Sequence, residues 1–154
     1  MKVQEAMTRN VLTININASL DVAADVMSKN DVGAMPVEDD GKIKGMLTDR
    51  DIVTRAVAQR RDPIATRAGD IMTPEVYACY EHEDIKDVAK LMEEKQVRRA
   101  VVLSEDNNPV GMISISDIMI HGEKEVACEV LEHVSVPVHS MPREKQPGYG
   151  RSMW

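Results

Sequence analysis

The apolar residues in the first third of the chain follow first a helical and then an extended spacing. Four of them recur at the spacing of one helix face: Leu20, Ala23, Ala24 and Met27. Ser19 directly precedes them and suits a helix N-cap, so a helix is predicted to begin there. Shorter apolar runs and turn residues then predict a strand over 34–37, a hairpin turn over 39–41, a strand over 43–47 and a helix over 49–58.

Two features of this pattern carry specific predictions. Pro36 has no N–H to donate to a β-ladder, so its strand is expected to lie at a sheet edge or to end there. Ile52, Val53 and Val57 fall on one side of the second helix and make that side apolar. A helical turn over 3–7 and an extended segment over 11–14 are predicted before these elements.

The same order of elements occurs a second time, about 65 residues further along the chain. Met7-Thr8 returns as Met72-Thr73, and the segment GMLTDRD of 45–51 returns as GMISISD of 111–117. The second copy predicts an extended segment over 76–79, a helix over 84–95, strands over 100–103 and 110–113, and a helix from Ser116. Strands alternating with helices in this way predict an α/β fold built from two repeats, each with the order β-α-β-β-α.

Neither repeat is long enough to be stable alone, because a domain of about 60 residues buries only about 60% of its unfolded surface. We therefore expect the repeats, 1–62 and 63–122, to fold together. Residues 123–136 predict an amphipathic helix with Val126, Val130 and Leu131 on its apolar side. Residues 137–154 combine Pro, Gly and charge without apolar periodicity, so a flexible tail is predicted there.

Composition and charge exclude several classes of function. The net charge of −7 argues against a nucleic-acid binder, and an aromatic content of 3% without Phe leaves no platform for base stacking. No apolar run approaches the roughly 18 residues of a membrane helix and no signal-peptide pattern opens the chain, so a cytoplasmic protein without membrane association is expected. Cys79 and Cys128 lack metal-like spacing and are expected to be reduced, and no bound metal is expected. No Ser/His/Asp order and no Gly-rich phosphate loop is present, so an enzyme is not expected.

One motif whose residue types suit ligand binding occurs in both copies, at the junction from a strand into a helix. It has the form Gly-apolar-apolar-Thr/Ser-x-x-Asp, with Thr48 and Asp51 in the first copy and Ser114 and Asp117 in the second. The glycine permits close approach of a ligand, the hydroxyl lies at a helix N-terminus that favours anions, and the carboxylate can accept hydrogen bonds from a ribose diol. The alternative is that these residues only form capping boxes.

With these repeated motifs the sequence resembles the cystathionine-β-synthase (CBS) domain, present as a tandem pair or Bateman module in a small stand-alone protein. The resemblance covers roughly residues 1–121. It is carried by the segments DIMT of 70–73, VGAMPV of 32–37, GMLTDRDI of 45–52 and VRRAVV of 97–102, together with 111–118. It implies two repeats packed as a pseudo-twofold pair with a cleft on either side of their seam.

The resemblance also implies the residues that would bind a ligand. In one cleft Leu47, Thr48, Arg50 and Asp51 would combine with Tyr77 and Ala78. In the other, Ile113, Ser114, Ser116 and Asp117 would combine with Leu12 and Thr13. The starts of the central strands would line these clefts: Gly33, Ala34, Val97, Arg98 and Arg99.

Family members generally act as sensors of adenine nucleotides, so the implied ligand is AMP, ADP, ATP or a dinucleotide such as NAD. The implied partners are a second copy, forming a homodimer, and an effector protein of unknown identity. The clefts are expected to be unequal because the first copy has Arg50 where the second has Ser116, and Arg98 or Arg99 is a further candidate phosphate ligand. Two alternatives remain: Arg98 and Arg99 form salt bridges with Glu93, Glu94 or Asp49, and the protein acts without ligand, through dimerisation or partner binding in a stress response.

Overall fold

The computed structural model describes residues 1–121 and 124–135. These form two compact units, which we call the first unit (residues 10–76) and the second unit (residues 1–9 with the described residues from 77 onward). The predicted tail 137–154 and the terminal residues of the predicted helix 123–136 lie outside the described residues.

The elements, in chain order, are α1 (Val3–Ala6), β1 (Thr8–Arg9), β2 (Ile14–Asn15), α2 (Leu20–Asn30), β3 (Ala34–Asp39), β4 (Lys42–Thr48), α3 (Asp49–Asp51), α4 (Ala68–Ile71), β5 (Ala78–Tyr80), α5 (Ile85–Lys95), β6 (Arg99–Leu103), β7 (Pro109–Ser114), α6 (Ile115–Ile120) and α7 (Lys124–Val134). Helix α3 continues directly into a π-helical turn over Ile52–Val57. The predicted α/β class and the strand-helix order of both repeats are confirmed.

The first unit contains a three-stranded sheet in the order β2-β3-β4, with β2 parallel and β4 antiparallel to β3. Helix α2 begins after Ser19, as predicted, and ends at Asp31, which adopts a left-handed conformation with φ 52°. The helix covers the sheet with its apolar face. The buried core of this unit consists of Ile14, Leu20, Ala23, Met27, Met35, Val37, Leu47, Ala56, Ala68 and Ile71.

Pro36 lies in the central strand of this sheet, so the expectation of an edge or a strand end was wrong. Its partner across the antiparallel ladder is Met46, whose N–H and carbonyl both bond Thr73 and therefore face away from β3. Pro36 and Met46 thus form a non-hydrogen-bonded pair, in which no N–H of residue 36 is required on the β4 side. On its other side, β2 pairs only with Val37 and Glu38, so the sheet has no need of the missing donor.

The π-helical turn also differs from its prediction. Val53 and Val57 are 58% and 64% exposed, whereas Ala56 is buried, so the two valines of the apolar side face solvent. Backbone hydrogen bonds here reach five residues back: Ala58 N–H donates to the Val53 carbonyl at 2.9 Å. The widened turn changes which side chains face the core.

The second unit contains a four-stranded sheet in the order β1-β7-β6-β5. Helix α5 has Asp84 as its N-cap, and this carboxylate accepts a hydrogen bond from Lys86 N–H at 3.0 Å. Helix α7 packs against α5 and α6. Its buried side consists of Ala127, Val130 and Val134. Leu131, predicted on the apolar side, is instead 37% exposed.

The repeated Met-Thr and Gly-Met motifs meet inside these units. In the second unit Thr8 pairs with Met112, and a Cβ on Gly111 would lie 2.6 Å from the Thr8 carbonyl oxygen. In the first unit Thr73 pairs with Met46, and a Cβ on Gly45 would lie 2.7 Å from the Thr73 carbonyl oxygen. The glycines therefore admit a neighbouring strand, which replaces the expectation that they make room for a ligand.

Candidate functional site

The sheet of the first unit gathers the candidate residues of the first repeat at one end. Strand β2 runs parallel to β3, so the residues before both strands lie at the same end; β4 is antiparallel and brings its last residue there. In the ladder Ala34 lies opposite Thr48. The candidates at this end are Leu12, Thr13, Gly33, Ala34, Leu47, Thr48, Arg50 and Asp51.

The second unit repeats this arrangement with the candidates of the second repeat. Strand β5 runs parallel to β6 and β7 antiparallel to it, with Arg99 opposite Ser114. The candidates at this end are Tyr77, Ala78, Val97, Arg98, Arg99, Ile113, Ser114, Ser116 and Asp117. The pairing of each set with the early segment of the other repeat remains a prediction.

Thr48 and Asp51 delimit the first loop, residues 48–51, and form a reciprocal capping box. Thr48 Oγ1 accepts a hydrogen bond from Asp51 N–H at 3.0 Å, and Asp51 Oδ2 accepts one from Thr48 N–H at 3.1 Å. Asp51 is 1% exposed, and its second oxygen, Oδ1, accepts no hydrogen bond from the described residues. The capping alternative is thus correct for one carboxylate oxygen, and the other is buried without a hydrogen bond from the described residues.

Arg55 is a residue of this site that the sequence analysis missed. Its Nε lies 3.6 Å from Asp51 Oδ1, and its Nη1 donates to the Ile71 carbonyl at 2.9 Å. The guanidinium therefore supplies a counter-charge to the buried carboxylate and joins it to the end of α4. The spacing of four residues between Asp51 and Arg55 was the available signal, since such pairs face each other on a helix.

Ser114 and Asp117 delimit the second loop, residues 114–117, which has the same caps with more exposure. Asp117 Oδ2 accepts hydrogen bonds from both Ser114 N–H and Ser114 Oγ, each at 2.7 Å. Both residues are half-buried. The position four residues after Asp117 holds His121, whose Nδ1 lies 2.8 Å from the Asp117 carbonyl rather than its carboxylate.

The residues beside the two loops reverse their charge between the repeats. Asp49 N–H donates to the Gly33 carbonyl at 3.0 Å, and Ile115 N–H donates to the Arg98 carbonyl at 3.1 Å, which establishes that these pairs are equivalent. In the first unit this pair consists of Asp49, which carries a carboxylate, and Gly33, which has no side chain. In the second unit the corresponding pair offers a guanidinium beside an isoleucine that is 5% exposed.

The arginines proposed as phosphate ligands are accessible. Arg50, Arg98 and Ser116 are exposed, and Arg99 is half-buried. Arg98 Nη2 donates to Ser135 Oγ at 3.2 Å, just beyond α7. Among the ion pairs of residues 1–121 and 124–135, Glu93 pairs with His133, and none joins Glu93 or Glu94 to Arg98 or Arg99.

Tyr77 and its neighbours shape the corresponding end of the second unit. The Tyr77 ring lies 6.0 Å from Lys95 Nζ, at the limit of a cation–π contact. Burial, and secondarily the charge of Glu83, raises the pKa of the Cys79 thiol to about 12, so this sulfur is protonated at neutral pH. Within the described part of the chain, no three His, Cys, Asp or Glu side chains are grouped to hold a metal ion, and no helix has the length and apolar character to cross a membrane.

Known proteins share this architecture. The chain is 35% identical to the CBS domain-containing protein YhcV of Bacillus subtilis, over 86% of this chain and 94% of that protein. A crystal structure of Hypoxic Response Protein I with two coordinated zinc ions superposes with a TM-score of 0.70 at 35% identity, covering 79% of this chain and 98% of that one. The CBS domain of a bacterial CNNM/CorC family Mg²⁺ transporter in complex with ATP gives a TM-score of 0.68 at 21% identity, covering 77% and 84%, which shows the shared fold.

The family model matches the chain twice. The CBS-domain model covers residues 3–58 and 68–123, which include both loops, both Met-Thr segments and both glycines that admit them. Two repeats with matching sheets and matching capping boxes account for these two matches. The chain therefore belongs to the CBS-domain family, of which it carries a tandem pair.

Proposed function

We propose that this protein is a regulatory module that binds an adenine nucleotide at its loops and performs no catalysis. The observation that carries the proposal is Asp51, a carboxylate that is 1% exposed. One of its oxygens is engaged in a capping box, and the other lies 3.6 Å from Arg55 Nε and accepts no hydrogen bond from the described residues. A buried acceptor without a donor costs free energy, and a ligand hydroxyl can supply that donor.

The chemistry of the loop fits a nucleoside phosphate. A ribose diol presents two hydroxyl donors, and Asp51 Oδ1 is an acceptor with unused capacity. Arg50 is exposed one residue before Asp51 and is suited to phosphate oxygens. The related fold of the CNNM/CorC transporter domain in complex with ATP supports the choice of an adenine nucleotide.

The two loops are proposed to have unequal preferences. The first loop carries both Asp49 and Arg50, so charge near the phosphate positions is balanced there. The second carries Arg98 next to neutral Ile115 and Ser116, so its surroundings are more favourable to a phosphate than the substitution of Arg50 by Ser116 alone suggests. We expect the affinities of the two loops for AMP, ADP, ATP and NAD to differ, mainly because these ligands carry different phosphate charges.

Regulation follows if the ligand binds one conformation more tightly than another. A ligand shifts such an equilibrium only by its differential affinity, typically about 1–3 kcal/mol of coupling. The output would pass to an effector protein or through a homodimer, since the described residues hold no catalytic constellation of their own.

Isothermal titration calorimetry of the full chain with AMP, ADP, ATP and NAD tests the proposal. Binding of at least one of them, with no nucleotide turnover detected by chromatography of the same samples, is the expected result. No heat and no shift of the melting temperature at millimolar ligand would refute it and favour a ligand-independent interaction or stress-response protein.

A further inference from the structure

A cavity lies in the first unit, between the π-helical turn and α4. It has a volume of about 490 Å³ and is lined by Arg55, Gln59, Arg61, Asp70, Ile71 and Met72. This volume is in the range of pockets that hold small molecules. None of the ligand-binding residues anticipated from the sequence lines it.

The lining offers more hydrogen-bond donors than the structure uses. Arg55 donates through Nη1 to the Ile71 carbonyl, which leaves further N–H groups of its guanidinium for another partner. Among the described residues, no side chain forms a hydrogen bond or ion pair with the side chain of Arg61 or of Gln59. Two guanidinium groups and one side-chain amide therefore line the same cavity.

The two carboxylates nearby each accept a backbone hydrogen bond through one oxygen. Asp70 Oδ2 accepts the Arg67 N–H at 2.9 Å, and Asp51 Oδ2 accepts the Thr48 N–H at 3.1 Å, so both sit in capping boxes. Backbone amides at these positions favour negative charge and reduce its effect on the surroundings. The guanidinium of Arg61 has no ion-pair partner within residues 1–121 and 124–135.

Arg55 is also held in place before any ligand arrives. Its contact with Asp51 Oδ1 at 3.6 Å and its hydrogen bond to Ile71 fix the side chain from two sides. A guanidinium that is already oriented loses less conformational entropy when it binds an oxyanion. The π-helical backbone is consistent with a functional site, because such turns occur frequently at them.

We propose that this cavity binds the oxyanion group, phosphate or carboxylate, of a small metabolite through Arg55, Gln59 and Arg61. Arg55 links this cavity to Asp51 of the first loop, whereas Gln59 and Arg61 belong to the cavity alone, and none of the residues anticipated to bind a nucleotide lines it. Planar guanidinium groups bind both phosphate and carboxylate oxygens in a bidentate manner, so the chemistry of the lining fits either source.

Calorimetric titration of the full chain with sodium phosphate, and separately with sodium succinate, tests this site at constant ionic strength set with chloride. Arg61→Gln is the test variant. Arg60→Gln is its matched control, because Arg60 is the adjacent exposed residue, carries the same charge and does not line the cavity. Circular dichroism establishes that both variants are folded.

The expected result is binding of phosphate or succinate to the wild-type chain, at least tenfold weaker in Arg61→Gln and unchanged in Arg60→Gln. The anion that binds identifies the phosphate or the carboxylate source. Absence of binding to the wild-type chain, or equal weakening in both variants, would overturn the proposal. Because AMP is titrated in a separate experiment, a failure here is distinguishable from a failure of the nucleotide proposal.

Discussion

The first and second loops have the same capping arrangement but differ in the surroundings of their carboxylates. Asp51 is 1% exposed and faces Arg55, whereas Asp117 is half-buried and has His121 at the equivalent position. The capping-box hydrogen bonds nevertheless recur in both loops. The comparison teaches that the repeat preserves the strand-to-helix junction, while burial and charge around it have diverged.

The largest expected effect comes from removing the two carboxylates. Asp51→Ala deprives a buried N–H of its acceptor and Arg55 of its counter-charge, so we expect a loss of about 2–3 kcal/mol in the free energy of unfolding. Asp117→Ala removes a more exposed cap and is expected to cost about 1 kcal/mol. Urea unfolding followed by circular dichroism measures both. Equal losses would show that the difference in burial has no energetic consequence.

Next in size is the effect of a methyl group at the repeated glycines. Gly45→Ala and Gly111→Ala each force a neighbouring strand to move, at a cost of about 1–3 kcal/mol, and the two costs are expected to be similar. Gly41→Asn is the control, since Gly41 has φ 73° and open space around it, and Asn tolerates that conformation. Thermal unfolding of the three variants gives the comparison. A tolerated alanine at either site would mean that the strand beside it is not closely packed.

A smaller effect is expected from acid at α2 and α5, the equivalent helices of the two repeats. Asp84 caps α5 through its side chain, whereas Ser19 makes no side-chain cap bond at α2. The hydrogen bond from Lys86 N–H holds the pKa of the Asp84 carboxyl below its ordinary value. A lowered folded-state pKa stabilises the protein above the unfolded value, and this contribution is lost as pH falls through the folded value.

Melting temperatures of the wild type and of Asp84→Asn below pH 5 test this prediction. The variant keeps an N-cap acceptor without a titrating charge, so its melting temperature is expected to fall less steeply in acid. Ser19→Asn should leave the acid dependence of the wild type unchanged. Parallel profiles for Asp84→Asn and the wild type would contradict the assignment.

The smallest effect is expected from a thiol reagent at Cys79, which should not react. Cys79 occupies the position that Ile14 holds in the first repeat. Its thiol is buried, with a pKa of about 12, and behaves as a small apolar side chain. Iodoacetamide at pH 8 is expected to alkylate the exposed Cys128 and to leave Cys79 unmodified, as read by mass spectrometry of the folded protein. Rapid modification of Cys79 would mean that this strand is open to solvent.

Local features of the fold were predictable from the sequence because each depends on neighbouring residues. The start of helix α2 after Ser19 and the capping boxes of Thr48 and Ser114 are of this kind. The central position of Pro36 was not predictable, because it depends on where β2 stops pairing and on which residue bonds Met46. Both are contacts between distant parts of the chain.

The candidate site shows the same limit. Hydroxyl and carboxylate spacing identified the loops, but the unused oxygen of Asp51 and the approach of Arg55 require the folded backbone. Gly45 and Gly111 were recognised as special and assigned to a ligand, since the strand that occupies the space lies far away in sequence. The charge reversal between Asp49 beside Gly33 and Arg98 beside Ile115 became visible only when the equivalent backbone bonds were compared.

The most direct measurement is calorimetric titration of AMP into the wild-type chain, Asp51→Asn and Asp117→Asn. These variants keep an acceptor for the capping box and remove the carboxylate charge. The proposal predicts AMP binding to the wild type, with each variant losing the contribution of its own loop and the affinity of the other loop retained. No AMP binding to the wild type, or unchanged binding in both variants, would contradict the role assigned to these carboxylates.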